Sequence, residues 1–303
     1  MTKHKIEISN QDKVFFPKSG ITKGEMIDYY RKVSKQFVYL SESFPVAMQR
    51  FPDGIHEEGF FQKDASDYFP RWIDKVKFPR RKGGHFDAPI ISDKSTLVYL
   101  ANQAMITPHL YLAEKDKLEY ASKMVFDIDP PEGTDDYSTA RKATFAIKDI
   151  IENLEMKGWV MTTGSNGYHI IVALDGKSKF DDVRSFAADM TKLVLLKNPD
   201  EFTSKQLKEK RKGRVYIDIG RNSYGATSVA AYGIRAKENA PIAIPVTWQE
   251  IQNGTNPKDW TLGNIDNRLD DDKQPWKSIW NHRFSIKKRH EKLRKMLERE
   301  SNG

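Results

Sequence analysis

The chain contains no cysteine among its 303 residues, which excludes disulfide bridges and thiolate metal sites and fits a reducing compartment. Long apolar runs are missing as well. No stretch approaches the roughly 18 consecutive apolar residues of a membrane span, and the N-terminal MTKHKIEISNQDK carries no signal-peptide run. We therefore expect a soluble intracellular protein with no membrane partner.

Basic residues outnumber acidic ones, with 50 Lys and Arg against 42 Asp and Glu, a formal net charge of +8 and a pI of about 9.3. A basic protein of this size is a candidate for polyanion binding, although charge alone does not prove it. The length allows one elaborate domain or two smaller ones. We find no internal repeat and no clear linker.

The stretch Met124–Pro130 (MVFDIDP) predicts a short strand with two carboxylates on one face. Side chains alternate along a strand, so Asp127 and Asp129 point one way while Phe126 and Ile128 point towards a core. Neighbouring carboxylates repel unless a cation lies between them. A solvated strand end is the alternative for a single Asp-x-Asp pair.

A third strand carboxylate, Asp218, follows far downstream in RVYIDIG (214–220). The basic run TSKQLKEKRKG (203–213) leads into it, and this run is either a polyanion-binding loop or a solvated face. Three aspartates on two strands with a basic, aromatic-bearing surface indicate phosphoryl transfer by two metal ions. Oxygen-only ligands suit Mg²⁺ or Mn²⁺.

The run Gly164–His169 (GSNGYH) predicts a tight turn between two strands. Free amides, the Ser165 hydroxyl and His169 two residues beyond the turn suit phosphate oxygens. The turn lacks a Walker lysine and opens no helix, so it is not a P-loop, and an ordinary hairpin turn is the alternative. His109 lies in an extended segment, where a structural role is the alternative.

Near the N-terminus we expect a strand at 5–9 and a helix from a Thr22–Glu25 capping box to about Phe37. Lys13 and Lys23 flank the turn and the helix start. They are either a phosphate site at a helix N-terminus or ordinary surface lysines.

Two adjacent rings, Phe60 and Phe61, precede Lys63 and cannot both enter one core layer. Exposed rings beside lysines stack on nucleic-acid bases, whereas the alternative places one ring in the core and the other over it. Residues 79–94 are basic, glycine-rich and without clear periodicity, which predicts an irregular surface loop.

The motifs taken in order resemble a known family, the polymerase domain of bacterial and archaeal ligase D, the non-homologous end-joining polymerase of the archaeo-eukaryotic primase superfamily. The resemblance runs from about Asn10 to Ile251 and rests on DKVFFP (12–17), TKGEMIDYY (22–30), RFPDG (50–54), GFFQK (59–63), MVFDIDP (124–130), TGSNGYHI (163–170), YIDIGRN (216–222) and TSVAAYGIRA (227–236).

The resemblance implies an α/β primase-polymerase fold, with a mixed, largely antiparallel catalytic sheet flanked by helices and an N-terminal portion forming a cleft. We expect a single catalytic domain over 1–303, with a family-like core at 10–251 and a C-terminal extension at 255–303 that carries a basic helix. The length leaves no room for ligase or phosphoesterase segments, so a stand-alone form is expected.

The resemblance also implies residue roles. Asp127, Asp129 and Asp218 would be the catalytic residues and would bind two divalent ions, Mn²⁺ or Mg²⁺. The incoming nucleotide would contact Ser165, His169, His109, Arg235 and Arg50. DNA would contact Lys13, Lys23, Phe60, Phe61, Lys63 and Arg211; of these, the Lys13–Lys23 pair would hold a 5′-phosphate, the two rings would stack on the template, and Arg211 would place the primer 3′ end.

The implied activity is a nucleotidyltransferase that fills gaps and extends 3′ ends at double-strand breaks and prefers ribonucleotides. Its partners would be DNA with 5′-phosphorylated gaps or 3′ overhangs, NTP or dNTP, and separate Ku and DNA ligase, in a prokaryotic cytoplasm at the nucleoid. A DNA-end-bridging factor with vestigial polymerase activity and a de novo primase are the alternatives.

Two positions depart from the family pattern. Asn166 stands where the family usually has a lysine in the hairpin turn, and Arg221 stands where it often has a glutamine. Asn166 cannot supply the turn's positive charge, and Arg221 is a candidate for compensating it.

Overall fold

A computed structural model describes residues 4–269 and 274–301. Within those ranges the α-helices are α1 (Lys23–Lys32), α2 (Ser34–Ser41), α3 (Lys94–Asn102), α4 (Ser138–Asn153), α5 (Phe180–Lys197), α6 (Trp248–Gln252) and α7 (His290–Ser301). The strands are β1 (Val14–Phe16), β2 (Ile21–Thr22), β3 (Val46–Arg50), β4 (Phe60–Gln62), β5 (Lys75–Pro79), β6 (His85–Pro89), β7 (Met105–Tyr111), β8 (Lys123–Asp129), β9 (Trp159–Thr162), β10 (Tyr168–Ala173), β11 (Phe202–Thr203), β12 (Val215–Asp218), β13 (Thr227–Val229) and β14 (Ile244–Val246).

The described chain divides into two compact units, each made of several chain segments. The first takes residues 4–118, 227–244 and 258–269, and the second takes 119–226, 245–257 and 274–301. The single catalytic domain predicted over 1–303 stays a prediction.

The first unit is built on an antiparallel sheet of order β13-β7-β3-β4. Helix α1 begins at the predicted capping box, since Thr22 Oγ1 accepts from the Glu25 amide and Glu25 accepts from the Thr22 amide. Tyr30 is fully buried and its hydroxyl donates to the Ile106 carbonyl at 2.6 Å, which ties α1 to β7.

Three expectations for this unit are wrong. Residues 5–9 form no strand; the Asn102 side chain holds this segment through the Ser9 amide and the Glu7 carbonyl. The helix from Thr22 breaks at Val33, where the Ser34 hydroxyl donates to the Arg31 carbonyl and competes with helical bonding.

The third concerns residues 79–94, which are not an irregular loop. They lie largely in a hairpin of β5 and β6, whose tip contains Gly83 and Gly84 at positive φ, and the chain then enters α3. Phe78 pairs with Phe86 across the hairpin, with ring centroids 5.3 Å apart. The apolar–polar alternation of these two strands is hard to recognise in the sequence because basic residues surround the paired rings.

The second unit is built on a six-stranded sheet of order β11-β12-β8-β10-β9-β14. Strand β8 is antiparallel to β12 and β10, and β10 is antiparallel to β9, whereas β11 is parallel to β12. Helices α4 and α5 pack against this sheet, and α7 packs against α5 with Leu293 buried. The α/β class with a mixed, largely antiparallel sheet flanked by helices is confirmed.

The basic helix predicted in the C-terminal extension 255–303 is found as α7, preceded by a 3-10 turn at Lys287–Arg289. Of the helices that the structure describes, none combines the length and apolar character needed to cross a membrane.

Candidate functional site

A row of side chains crosses three neighbouring strands of the second unit. His169 on β10 is opposite Asp127 on β8, and Asp127 is opposite Asp218 on β12. Asp129 is opposite Tyr216. Directly opposed residues and residues two apart share a sheet face, so the three aspartates, His169 and Tyr216 lie on one face.

Asp127 is the most enclosed carboxylate of this row, with 7% of its surface exposed. Its Oδ1 lies 3.2 Å from His169 Nε2 and its Oδ2 lies 3.5 Å from Arg221 Nε. A buried charge is costly unless partners surround it, and these two groups supply them. His169 is itself buried, and its Nδ1 has no hydrogen-bond partner among the described residues.

Asp218 is held by its own chain. Its Oδ1 accepts from the Gly220 amide at 2.7 Å. Burial and the neighbouring Asp218 carboxylate raise the pKa of Tyr216 to about 12. The Arg211 guanidinium lies 3.9 Å above the Tyr216 ring, so this predicted DNA contact stands beside the carboxylates.

Asp129 shows the repulsion within the row. Burial first, and then the charges of Asp127 and Asp218, raise the pKa of Asp129 to about 6, although His169 and Arg211 partly offset the increase. A divalent cation at this face would remove the repulsion, because it favours the charged form of each carboxylate.

The donor set fits such a cation, since it consists of carboxylate oxygens on one face. As the side chains lie, however, no three His, Asp or Glu residues in the described ranges stand close enough to hold a metal ion together. His169, Arg221 and the Gly220 amide engage the carboxylates of Asp127 and Asp218. The carboxylates would therefore have to turn towards one another before they could share an ion.

The predicted hairpin turn between β9 and β10 is found, and Thr163 organises it. Thr163 Oγ1 donates to the Gly167 carbonyl at 2.9 Å and accepts from the amides of Ser165 and Gly167. A Cβ at Gly167 would lie 1.9 Å from the Ile128 carbonyl oxygen, so only glycine allows the turn to approach β8 this closely. Asn166 is exposed at the tip of the turn.

The aromatic pair lies on β4 of the first unit, and both rings are exposed, Phe60 by 46% and Phe61 by 56%. The alternative that one ring is core is wrong. The Arg50 guanidinium lies 5.3 Å from the Phe60 ring and donates to Gln62 and to the Tyr68 hydroxyl. Tyr68 is exposed by 60%, so two exposed rings, Phe60 and Tyr68, lie beside Arg50. Exposed Lys63 follows β4.

Of the two lysines beside the start of α1, Lys23 differs from an ordinary surface lysine because it is buried. Lys23 is 5% exposed, its Nζ donates to the Ser9 carbonyl at 2.8 Å, and burial together with nearby Lys13 lowers its pKa. Lys13 Nζ lies 2.5 Å from Asp53.

The helix start beside these lysines is already occupied. The Lys23 amide donates to the Lys13 carbonyl, the Gly24 amide to the Gln11 carbonyl and the Glu25 amide to Thr22 Oγ1. A phosphate would therefore be held there by the two ammonium groups rather than by these helix amides.

Two predicted nucleotide contacts lie elsewhere in the first unit. His109 is on β7, with its ring 5.3 Å from the Phe61 ring in an edge-on contact. Arg235 follows β13 and is half-buried. The predicted residues thus fall into two groups: the aspartates, Ser165, His169 and Arg211 in the second unit, and Arg50, Phe60, Phe61, Lys63, His109, Lys13, Lys23 and Arg235 in the first.

Sequence reasoning missed several residues that support the site, namely Thr163, Gly167, Tyr68 and Asn222. The threonine and second glycine of TGSNG (163–167) were a signal, because such residues close tight turns. Tyr68 lies in none of the family motifs, and Asn222 ends the motif YIDIGRN, but nothing local indicates the bonding partner of either residue, since those partners are distant in the chain.

Comparisons with known proteins identify the family of this fold. Residues 22–276 match the family model of the LigD primase-polymerase domain. The chain is 29% identical over 249 residues to the multifunctional non-homologous end joining protein LigD of Mycolicibacterium smegmatis, covering 82% of this chain and 32% of the relative. It is 26% identical over 266 residues to the bifunctional non-homologous end joining protein LigD of Bacillus subtilis, covering 88% and 42%.

Among solved structures, the polymerase domain of Mycobacterium tuberculosis ligase D in complex with DNA superposes with a TM-score of 0.84 at 25% identity, covering 91% of this chain and 98% of that one. The match defines a primase-polymerase class of α/β protein. The chain belongs to the LigD primase-polymerase domain family. It spans about a third of the length of the mycobacterial relative and less than half of the Bacillus one.

Proposed function

We propose that this protein is a template-directed nucleotidyltransferase that fills gaps and extends 3′ ends at DNA double-strand breaks during non-homologous end joining. The observation that carries the proposal is the paired position of Asp127 and Asp218 on neighbouring strands, with Asp129 on the same face. Membership of the LigD primase-polymerase family supports it.

The chain's own residues would contribute binding and charge. Asp127, Asp129 and Asp218 would hold two divalent cations, Mn²⁺ or Mg²⁺, which when bound supply an activated 3′-hydroxyl and neutralise triphosphate charge. His169 and Arg221 keep Asp127 oriented on the face. Ser165 and His169, with His109, Arg50 and Arg235, would bind the incoming nucleotide, for which ribonucleotides are the preferred form.

DNA would be bound by groups of the kind that recognise single strands and phosphates. Phe60 and Phe61 are exposed rings beside Lys63, which suits stacking on template bases. Lys13 and Lys23 would hold the 5′-phosphate across a gap, and Arg211 would place the primer 3′ end. Ku and a DNA ligase would act with the chain at the break.

Primer extension on gapped DNA with Mn²⁺ and NTPs tests the proposal. Wild-type protein should extend the primer, and more efficiently when the far side of the gap carries a 5′-phosphate. Asp127→Ala and Asp129→Ala should lose extension while binding DNA with nearly unchanged affinity. Extension by either variant would refute the metal-site assignment, and indifference to the 5′-phosphate would refute the Lys13–Lys23 assignment.

A second candidate function is DNA-end bridging with vestigial polymerase activity. The observation favouring it is that, in the described ranges, the carboxylates do not converge as metal ligands. It predicts binding to 5′-phosphorylated gapped DNA without incorporation, and the same assay separates the two candidates. A de novo primase, in contrast, would synthesise strands on a template without any primer.

A further inference from the structure

A cavity of about 370 Å³ opens beside Asp218, within the second unit. One wall is helix α5, which contributes Arg184 and Lys192, and the other is the chain after β11, which contributes Ser204 and Gln206. Its volume is in the range of small-molecule sites, which begins near 300 Å³. None of the predicted nucleotide or DNA contacts lines it, although Asp218 does.

The two cationic side chains of the cavity, Arg184 and Lys192, have no partner within the described chain. Neither Arg184 nor Lys192 makes an ion pair or hydrogen bond with any residue that the structure describes, and both are exposed. They are eight residues apart on α5, which is about 12 Å along a helix. That distance is too long for one phosphate group and corresponds to the axial rise of about three to four nucleotides in one strand.

The floor of the cavity is an open sheet edge. Strand β11 ends at Thr203, which is paired with Tyr216, so in the described chain Ile217 and Asp218 have no strand beside them on that side. Ile217 and Ile219 line the cavity there, with Ala188 on the helix side. Small, apolar surfaces between the two cations suit the sugars of a nucleic-acid strand. The phosphates of that strand would reach Arg184 and Lys192.

The geometry points to a binding groove for a nucleic-acid strand, in which Arg184 and Lys192 hold two phosphates about three to four nucleotides apart on the strand that ends at the carboxylate row. This inference rests on the proposed function, because Asp218 belongs both to the cavity and to the proposed catalytic face. The basic run at 203–213 leads directly into the cavity and extends its positive surface.

Binding of a fluorescent primer–template with a 3′-hydroxyl end tests the two cations. The Arg184→Gln/Lys192→Gln variant should bind about tenfold more weakly, and its log–log salt slope should fall by about 1.4 to 1.8, as expected for two lost phosphate contacts. A matched control, Lys148→Gln/Lys197→Gln, removes the same charge from α4 and α5 outside the cavity. Equal losses in the two variants would overturn the inference.

A proximity test uses the absence of cysteine. Ser204→Cys supplies a single thiol in the cavity, and an oligonucleotide carrying an activated disulfide on the phosphate next to its 3′-terminal nucleotide reports contact. Cross-linking should be at least tenfold faster than with Asn153→Cys, an exposed α4 position outside the cavity. Equal rates, or protection by free NTP but not by unlabelled strand, would overturn the inference.

Neither readout requires turnover. If the wild type extends the primer and the cavity variants bind DNA as tightly as the control, the polymerase proposal stands and the proposed groove is refuted. If strand binding depends on Arg184 and Lys192 but the protein never incorporates nucleotides, the groove is supported and the polymerase proposal is refuted.

Discussion

The side chain of Asn222 takes the place of a β-strand beside Val125. Asn222 Oδ1 accepts from the Val125 amide at 2.8 Å, and its Nδ2 donates to the Val125 carbonyl at 2.7 Å and to the Ile219 carbonyl at 3.0 Å. The β12 ladder along β8 stops at Asp127, so Asn222 continues the bonding two residues further on. It thereby fixes β8 next to the carboxylate row.

Asn222→Ala should lower the free energy of unfolding by about 2–3 kcal/mol, because it leaves the buried amide and carbonyl of Val125 unpaired. Urea unfolding checks this. Asn153→Ala, at an exposed position on α4, is the control and should change stability by less than about 0.5 kcal/mol. A loss at Asn222 no larger than the control would contradict the strand-replacing role.

Gly167→Ala should destabilise the hairpin by about 3 kcal/mol or more, because the new Cβ would fall 1.9 Å from the Ile128 carbonyl oxygen and push the turn away from β8. Nucleotide affinity should fall with it, as measured by equilibrium binding of a labelled NTP. Gly263→Ala is the control, since its Cβ would meet nothing nearer than Thr261 Oγ1 at 3.8 Å. Unchanged stability and affinity at Gly167 would show that the turn tolerates displacement.

Phe60→Ala and Phe61→Ala should each weaken binding of single-stranded template by about 1–3 kcal/mol, the usual contribution of a ring stacked on a base. Fluorescence anisotropy with a 5′-overhang substrate measures the loss. Val14→Ala, another exposed apolar residue of the same unit, should leave affinity unchanged. If Phe60→Ala and Phe61→Ala bind the template as tightly as Val14→Ala does, the two rings do not contact DNA.

Lys23 should make the free energy of unfolding depend on pH in the alkaline range. Burial and Lys13 lower its pKa in the folded protein, so the charged form is disfavoured there relative to the unfolded chain, whose lysine pKa is about 10.4. Its destabilising contribution is present at neutral pH and is lost as pH rises from the lowered pKa towards about 10.4.

Thermal unfolding across this pH window checks the sign. Wild type should gain stability relative to Lys23→Met as pH rises, whereas exposed Lys18→Met should show no such trend. A difference between wild type and Lys23→Met that is constant with pH would contradict the assignment.

Local patterns predicted the acidic face well. Alternation along β8 and β12 placed Asp127, Asp129 and Asp218 on the strand faces that point away from the core, and turn chemistry located the hairpin before His169. What the sequence could not give was register: the row formed by His169, Asp127 and Asp218 depends on how three distant strands align. No local preference encodes that alignment.

What the sequence did not show depends on tertiary contacts. A lysine at a helix start is usually a surface residue, and nothing local indicates that Lys23 is buried against Ser9. The hairpin of β5 and β6 was hidden because its aromatic pair, Phe78 and Phe86, is spaced among charges and glycines. The bonds of Asn222 to Val125 join residues 97 positions apart, beyond the reach of any short motif.

The central claim is that the three aspartates together bind divalent cations, and a Mn²⁺ titration followed by electron paramagnetic resonance of the free ion tests it most directly. Wild-type protein should bind Mn²⁺, and Asp127→Asn and Asp218→Asn should each weaken binding at least tenfold. Asp135→Asn removes the same charge from the exposed loop after β8 and should bind as wild type does. Equal Mn²⁺ affinity in all four proteins would contradict the claim.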